Sequence, residues 1–538
     1  MINRFSRKQL RTSLPMMFNS ITQGGVGLIW LIIAVAVLVR LVFMGMLNLL
    51  PEEAYYWNYA QHLDIGYLDH PPMVAWLIHL SETVLGRSEF SVRLPAFLGW
   101  FGLAYFMFRL SVVIVGRSTG KVVLLLLVTL PIYMSVGFLM TPDAPFYVCW
   151  ASALYFLAKS LTQNQSRAWY AAGVFLGLGL LSKYTMGLII PATLGYMLID
   201  RESRRWFRKP QPYIALVIGL LLFSPVLYWN AEHQWMSFAF QGTRRWSGGM
   251  DFHLHILIGS ILVLLSPLGF YEAVRVIWDV GRRRIAIKQD DLQHYRQYLF
   301  LLTFSVVPLA VFMIHSIQGQ PKLNWTGPVW LSLLPLIAAR IHGIEIWHNK
   351  STGGSLARCW LVTASILVVF YAAGFTYMVG GMPGIEKESG MKFPIAWKIF
   401  GDKVEEIETR LEDSTGTEPI IIGLDKYWLA SQANFYDPDH NTDIDSLQEI
   451  GGQNLIGRNG LMWATWVTPE SINGRDALLI SFGESQLNQT SIVEHFADLG
   501  MINTERLYNY DGEVGHFYWR VGYRYTSKAL QETRPLAL

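Results

Sequence analysis

Between Pro51 and His79 the chain reads PEEAYYWNYAQHLDIGYLDHPPMVAWLIH, which sets acids, a histidine and many aromatic rings between two long apolar stretches. Glu52 and Glu53 open the segment, and Asp69-His70-Pro71-Pro72 interrupts it. A carboxylate held near a hydroxyl can take its proton, and a cation nearby can hold an anionic group by charge-assisted hydrogen bonds. The cations come later: Lys183 in SKYTMG (182–187), Arg244 and Arg245 in QGTRRWSGG (241–249), and Lys322 in QGQPKLNW (318–325). One more acid, Asp143, stands between two prolines in MTPDAPF (140–146). Each feature also has a plain structural reading. Acids after a proline suit the first turn of a helix, Asp143 suits a cap, a lysine near an apolar span can snorkel, and an arginine pair can be a solvated loop. Taken together in the loops of one face, they point to a site for acid–base chemistry on an anionic substrate.

The elements that must position these residues follow from composition. Of the 538 residues 52% are apolar and 15% charged, too few charges for a soluble chain of this size, so a polytopic α-helical membrane protein is expected. The net charge of +3 argues nothing about nucleic acid, and no nucleic-acid partner is expected. Cys149 and Cys359 both lie in apolar spans and imply no disulfide framework. Residues 1–24 form a polar, basic tail. The run from about 27 to 50 is too long for a signal-peptide core and reads as a retained first span. Ten further spans fall near 93–115, 121–140, 144–161, 168–182, 186–199, 212–229, 254–278, 298–316, 327–346 and 359–380, about 11 in all. Alternate loops hold about 22 Lys and Arg, against about six in the others. The positive-inside rule then places the N-terminus in the cytoplasm and residues 381–538 outside, with the first loop (48–92).

Within that loop, the pattern predicts a helix from Glu52 that the Asp69–Pro72 segment breaks, and a second helix from MVAWLIHL. Both would lie along the membrane surface with an apolar face inward. Residues 384–415 read as helical. Beyond them EPIIIGLD, LMWATWV, DALLISFG and HFYWRVGYRY read as strands, and DKYWLASQANFY (425–436) as a short helix running into a strand. The sum is a C-terminal extracytoplasmic α/β domain over 381–538. It carries no phosphate-binding glycine loop, zinc spacing or nucleophile elbow.

EEAYYW followed by GYLDHPPMVAWL resembles the first extracytoplasmic loop of the bacterial GT-C glycosyltransferases, the membrane enzymes related to protein O-mannosyltransferases and to the lipid A aminoarabinose transferase. The resemblance covers roughly residues 25–380. Members usually have Asp-Glu where this chain has Glu52-Glu53, and the aminoarabinose transferase usually has Glu-Lys-Pro where it has Asp69-His70-Pro71. The resemblance implies a multi-pass enzyme of the bacterial inner membrane. It would move a sugar from a polyprenyl-phosphate donor to an envelope acceptor: lipid A or lipopolysaccharide, another glycan, or a protein hydroxyl. It places Glu52 as the main catalytic acid residue with Glu53 beside it, and Asp143 as a further catalytic acid. His70, Lys183, Lys322, Arg244 and Arg245 would hold the donor phosphate, and Asp69, Tyr55 and Tyr56 the sugar or acceptor. No metal is required, although carboxylates from two loops could hold a divalent ion. Two other classes stay open from the residues alone: a transporter or flippase of lipid-linked sugars, and a non-catalytic assembly or sensor protein. Acids and cations gathered in loops on one face favour surface chemistry over a transmembrane path.

Overall fold

The computed structural model describes residues 10–242, 252–282, 292–343, 353–380, 395–438, 449–509 and 512–527. Helices occupy every expected span. Five of them (Glu89–Ile114, Gln211–Glu232, Leu254–Arg282, Leu292–His315 and Gly354–Gly380) are long and apolar enough by themselves to cross a membrane.

Prolines explain where the other spans break. The expected 121–140 span divides into Arg117–Thr129 and Pro131–Val136, because Pro131 offers no N–H to continue the first helix and starts the second at N1. Gly327–Leu331 and Leu334–His342 divide the 327–346 span in the same way, ahead of Pro335. In Leu254–Arg282 the residue before Pro267, Ser266, leaves the helical region (φ 61°) and kinks the helix. Lys183 sits at the expected tight break, in extended backbone after Ala168–Leu180 and before a 3₁₀ turn (Tyr184–Leu188) that leads into Ile189–Ile199. Helix Ala168–Leu180 also packs very closely on Gln211–Glu232. A Cβ on Gly173 would lie 2.3 Å from the carbonyl oxygen of Ala215, so glycine sets that interhelical distance.

The first loop forms two helices, Pro51–Gln61 and Met73–Leu85. The first ends at Gln61, one loop earlier than the Asp69–Pro72 break suggested. It is also not amphipathic on a membrane surface. Nine of its eleven residues are buried, including Trp57 at 0% exposure. The cover comes from the far end of the chain. Helix Trp428–Tyr436 packs on it, Asn58 donates to the Ser431 carbonyl (3.3 Å) and accepts from Asn434 (2.6 Å), and Gln432 donates to the Leu49 carbonyl (2.9 Å). Trp57, Tyr59 and Ile78 share one hydrophobic core with Trp397, Phe400 and Leu478. Its buried polar side chains, Glu53 and Asn58, are hydrogen-bonded, as such two-sided burial requires.

The α/β part opens with helix Trp397–Thr415 and holds a six-stranded sheet: β1 (Ile420–Gly423), β2 (Ile450–Gly452), β3 (Ala477–Ser481), β4 (Phe496–Leu499), β5 (Asn503–Asn509) and β6 (Gly512–Tyr525). The order is β2-β1-β3-β6-β4, with β5 also on β6. β1 runs parallel to both β2 and β3, and β6 is antiparallel to its three neighbours. β1 and β3 are buried at every position, as central strands covered on both faces must be. Two expected strands are absent. Residues 428–436 are helical to the end, and Trp463–Trp466 is a short helix. In both places aromatic residues that favour strands instead pack against the first-loop helices; Met462 N–H donates to Tyr55 Oη (3.2 Å). Residues 384–394 of the expected helix lie outside the described residues.

Candidate active site

A single turn of helix sorts the first-loop side chains by direction. Residues four apart share a face, so Glu52 and Tyr56 point one way, Tyr55 and Tyr59 another, and Glu53 and Trp57 a third. The first pair lines a cavity of about 490 Å³ at the mouth of the helix bundle. His70, Asp143, Lys183 and Lys322 complete its polar wall. With Glu53, seven of the expected site residues, drawn from five separate segments, thus border one space.

Each is held differently. Glu52 is exposed, and Tyr427 of the α/β part donates to its Oε1 from 3.4 Å. Lys183 Nζ lies 2.7 Å from Asp143 Oδ1, and Asn324 donates to Asp143 Oδ2. Both members of that ion pair are about nine-tenths buried, so their attraction is only weakly screened. His70 is half-buried, and its ring meets Tyr56 edge-on at 5.6 Å. Lys322 is exposed at the cavity rim. The cavity thus combines an exposed carboxylate with two lysines and a histidine.

Glu53 borders the cavity but is 0% exposed. Arg93 grips it with two bonds, Nε to Oε1 at 2.9 Å and Nη2 to Oε2 at 2.6 Å. Its two oxygens also accept from the Met140 N–H (3.0 Å) and the Leu50 N–H (3.1 Å). Arg93 spends its remaining N–H groups on the carbonyls of Met44, Leu47 and Asn48. With four donors on its two oxygens Glu53 has no lone pair left for a substrate proton. It stands beside Glu52, and these bonds make it a clasp for the loop.

Asp69 and Tyr55 stand apart from this space. Neither lines the cavity. Tyr55 donates to Asp69 Oδ1 (3.2 Å), Tyr59 donates to the same oxygen, and burial pushes the Asp69 carboxyl up despite those bonds. This cluster faces the cover from the α/β part, because Tyr55 lies one residue, about 100° around the helix, from the cavity-facing Tyr56. Arg244 and Arg245 lie outside the described residues. Among the described residues no three His, Cys, Asp or Glu side chains gather as a metal site would need.

Sequence reasoning missed Arg93, Asn324 and Tyr427. Arg93 left a signal: a charged residue near the start of an otherwise apolar span calls for a buried partner, and the preceding loop offers carboxylates. Tyr427 left none, because 375 positions separate it from Glu52.

The fold is that of a multi-pass helical membrane protein with an α/β part, and the chain is similar to GT-C glycosyltransferases of the aminoarabinose-transferase type. The family model of dolichyl-phosphate-mannose-protein mannosyltransferases matches residues 69–229. The chain is 28% identical over 286 residues to the lipid A galacturonosyltransferase RgtD of Rhizobium johnstonii, covering 51% of this chain and 56% of that protein. It is 24% identical over 376 residues to the undecaprenyl phosphate-alpha-4-amino-4-deoxy-L-arabinose arabinosyl transferase of Pectobacterium atrosepticum, covering 64% and 63%. The matches thus span less than two thirds of either relative. In three dimensions the chain superposes on ArnT from Cupriavidus metallidurans bound to undecaprenyl phosphate with a TM-score of 0.62, at 14% identity, over 92% of this chain and 98% of that one. That likeness is one of fold. The transporter reading gains no support from these relatives.

Proposed function

We propose that this protein is a membrane glycosyltransferase that moves a sugar from a polyprenyl-phosphate donor to an envelope lipid or glycan on the periplasmic face of the inner membrane. The observation that carries the reading is the cavity itself. An exposed carboxylate, Glu52, shares about 490 Å³ with Lys183, Lys322 and His70 at the mouth of apolar helices. A lipid-linked phosphate sugar has this layout: a chain in the membrane, a phosphate at headgroup level and a sugar beyond it. The relatives' names support the same class, since one acts on lipid A and another carries undecaprenyl phosphate in its name.

In the transfer, the acceptor hydroxyl attacks the anomeric carbon while the bond to the phosphate oxygen breaks. Glu52 takes the hydroxyl proton. Lys183, Lys322 and His70 meet the charge that grows on the leaving phosphate, which is where preorganised donors lower the barrier most. His70 does so as a neutral N–H donor or when protonated, so its share varies with pH. Side-chain cations supply the charge the leaving group needs, and a metal is no part of the proposal.

The test is release of labelled sugar from a polyprenyl-phosphate sugar by the purified protein, with extracted envelope lipids as acceptor. The wild type is expected to transfer, and Lys183→Ala to need about tenfold or more donor for half-maximal rate, since charge-assisted bonds to phosphate are among the stronger ones. No release with any envelope extract would refute the proposal. The orientation rests on the loop charges. A phosphatase fused after residue 538 is expected to be active in cells, and a dark phosphatase beside a bright cytoplasmic reporter would reverse it.

A further inference from the structure

Among the described residues of the α/β part, Tyr427 touches the proposed base: its phenol lies 3.4 Å from Glu52 Oε1. An exposed glutamate otherwise samples many rotamers, and holding one of them costs conformational entropy. Tyr427 is itself held from two sides. The Asp425 carboxylate accepts the N–H groups of Tyr427 (3.3 Å), Trp428 (2.8 Å) and Leu429 (2.9 Å), which fixes the turn that opens helix Trp428–Tyr436. The Tyr427 ring packs on Tyr55 with centroids 4.6 Å apart. Tyr55 stands one turn beyond Glu52 on the same helix, so the ring that donates to Glu52 rests on the helix that carries it. Burial, and after it the Glu52 carboxylate, push the Tyr427 phenol up from its ordinary value, and it remains a protonated donor across the working pH range.

We infer that Tyr427 is a positioning residue for transfer: its hydroxyl holds the Glu52 carboxylate toward the cavity, so the α/β part completes the site and is more than a cover for the first loop. The inference rests on the reading of Glu52 as the base. It assigns a task to a domain with no catalytic motif of its own, and it explains why so much of that domain's helix Trp428–Tyr436 is devoted to contact with helix Pro51–Gln61.

The experiment uses the full-length protein with four variants: Tyr427→Phe, Tyr427→Leu, Glu52→Gln and the Tyr427→Phe/Glu52→Gln double. Tyr427→Phe keeps the ring on Tyr55 and removes only the hydroxyl. It is expected to lower kcat by about three- to tenfold with donor KM and unfolding midpoint unchanged, the pattern of an interaction used in the transition state. In the Glu52→Gln background the same change is expected to add less than about twofold, because the two groups act as one unit. Tyr427→Leu loses the ring contact too and is expected to lower the midpoint, which marks the structural share. If Glu52→Gln is inactive while Tyr427→Phe keeps wild-type kcat, the inference falls and the proposed function stands. An equal loss from Tyr427→Phe with and without Glu52 also overturns it. If Glu52→Gln transfers at the wild-type rate, the reading of Glu52 is what fails, and the inference goes with it.

Discussion

Glu52→Gln is expected to fold, insert and bind the lipid donor, and to transfer almost no sugar. The side chain is exposed and opens a helix behind Pro51, so beside the 3.4 Å bond from Tyr427 its structural part is that of a first-turn acid on the helix dipole, worth about 0.3–1 kcal/mol. Loss of a general base costs about 10²- to 10⁴-fold in turnover, roughly 3–5 kcal/mol in barrier height. The two ranges do not overlap, so one purified variant separates them. Glu52→Asp is expected to keep partial activity, because it retains the carboxylate one methylene shorter, as the resembled family usually has it. Turnover of Glu52→Gln within a few-fold of wild type would move the role to Asp143, the other cavity carboxylate, although the Lys183 and Asn324 contacts already engage both its oxygens.

Arg93→Ala is expected to do the converse, damaging the fold before the chemistry. Arg93 and Glu53 are 1% and 0% exposed, and the change strands a buried carboxylate together with the carbonyls of Met44, Leu47 and Asn48. Removing one partner of such a pair costs about 3–5 kcal/mol, whereas replacing both by apolar groups of similar size is often close to neutral. The unfolding midpoint in detergent should therefore fall sharply for Arg93→Ala, and Arg93→Met with Glu53→Leu should recover much of it. A midpoint at the wild-type value for Arg93→Ala would mean that Glu53 is not the clasp described here, and its place beside the base would reopen.

The two adjacent acids show what kind of information each level carries. Glu52 and Glu53 are alike in chemistry, in neighbours along the chain and in suitability for a first helical turn. Helix geometry turns their side chains about 100° apart, which the sequence does imply, but what each then meets depends on chain 40 and 375 residues away: Arg93 for one, Tyr427 for the other. The same holds for Tyr55 and Tyr56, one turned into the Asp69 cluster and one into the cavity.

Local and compositional features were legible from residues alone. Apolar runs of membrane-spanning length located the helices, because each must satisfy its own backbone in lipid. Proline and lysine marked the breaks, and the acids and cations of the outer loops named Glu52, His70, Asp143, Lys183 and Lys322 as companions. Strand and helix in the last 150 residues were less legible, since Trp463 and Trp466 read as strand formers until the first loop claims the Trp466 ring and Trp463 packs on it. Only tertiary structure decided which acid is free to react, which is a clasp, and that the α/β part is seated on the helix that carries both. The physical reason is that hydrogen-bond capacity is finite. A carboxylate's role is set by how many of its lone pairs the folded chain has already filled, and those donors are assembled by packing across hundreds of residues.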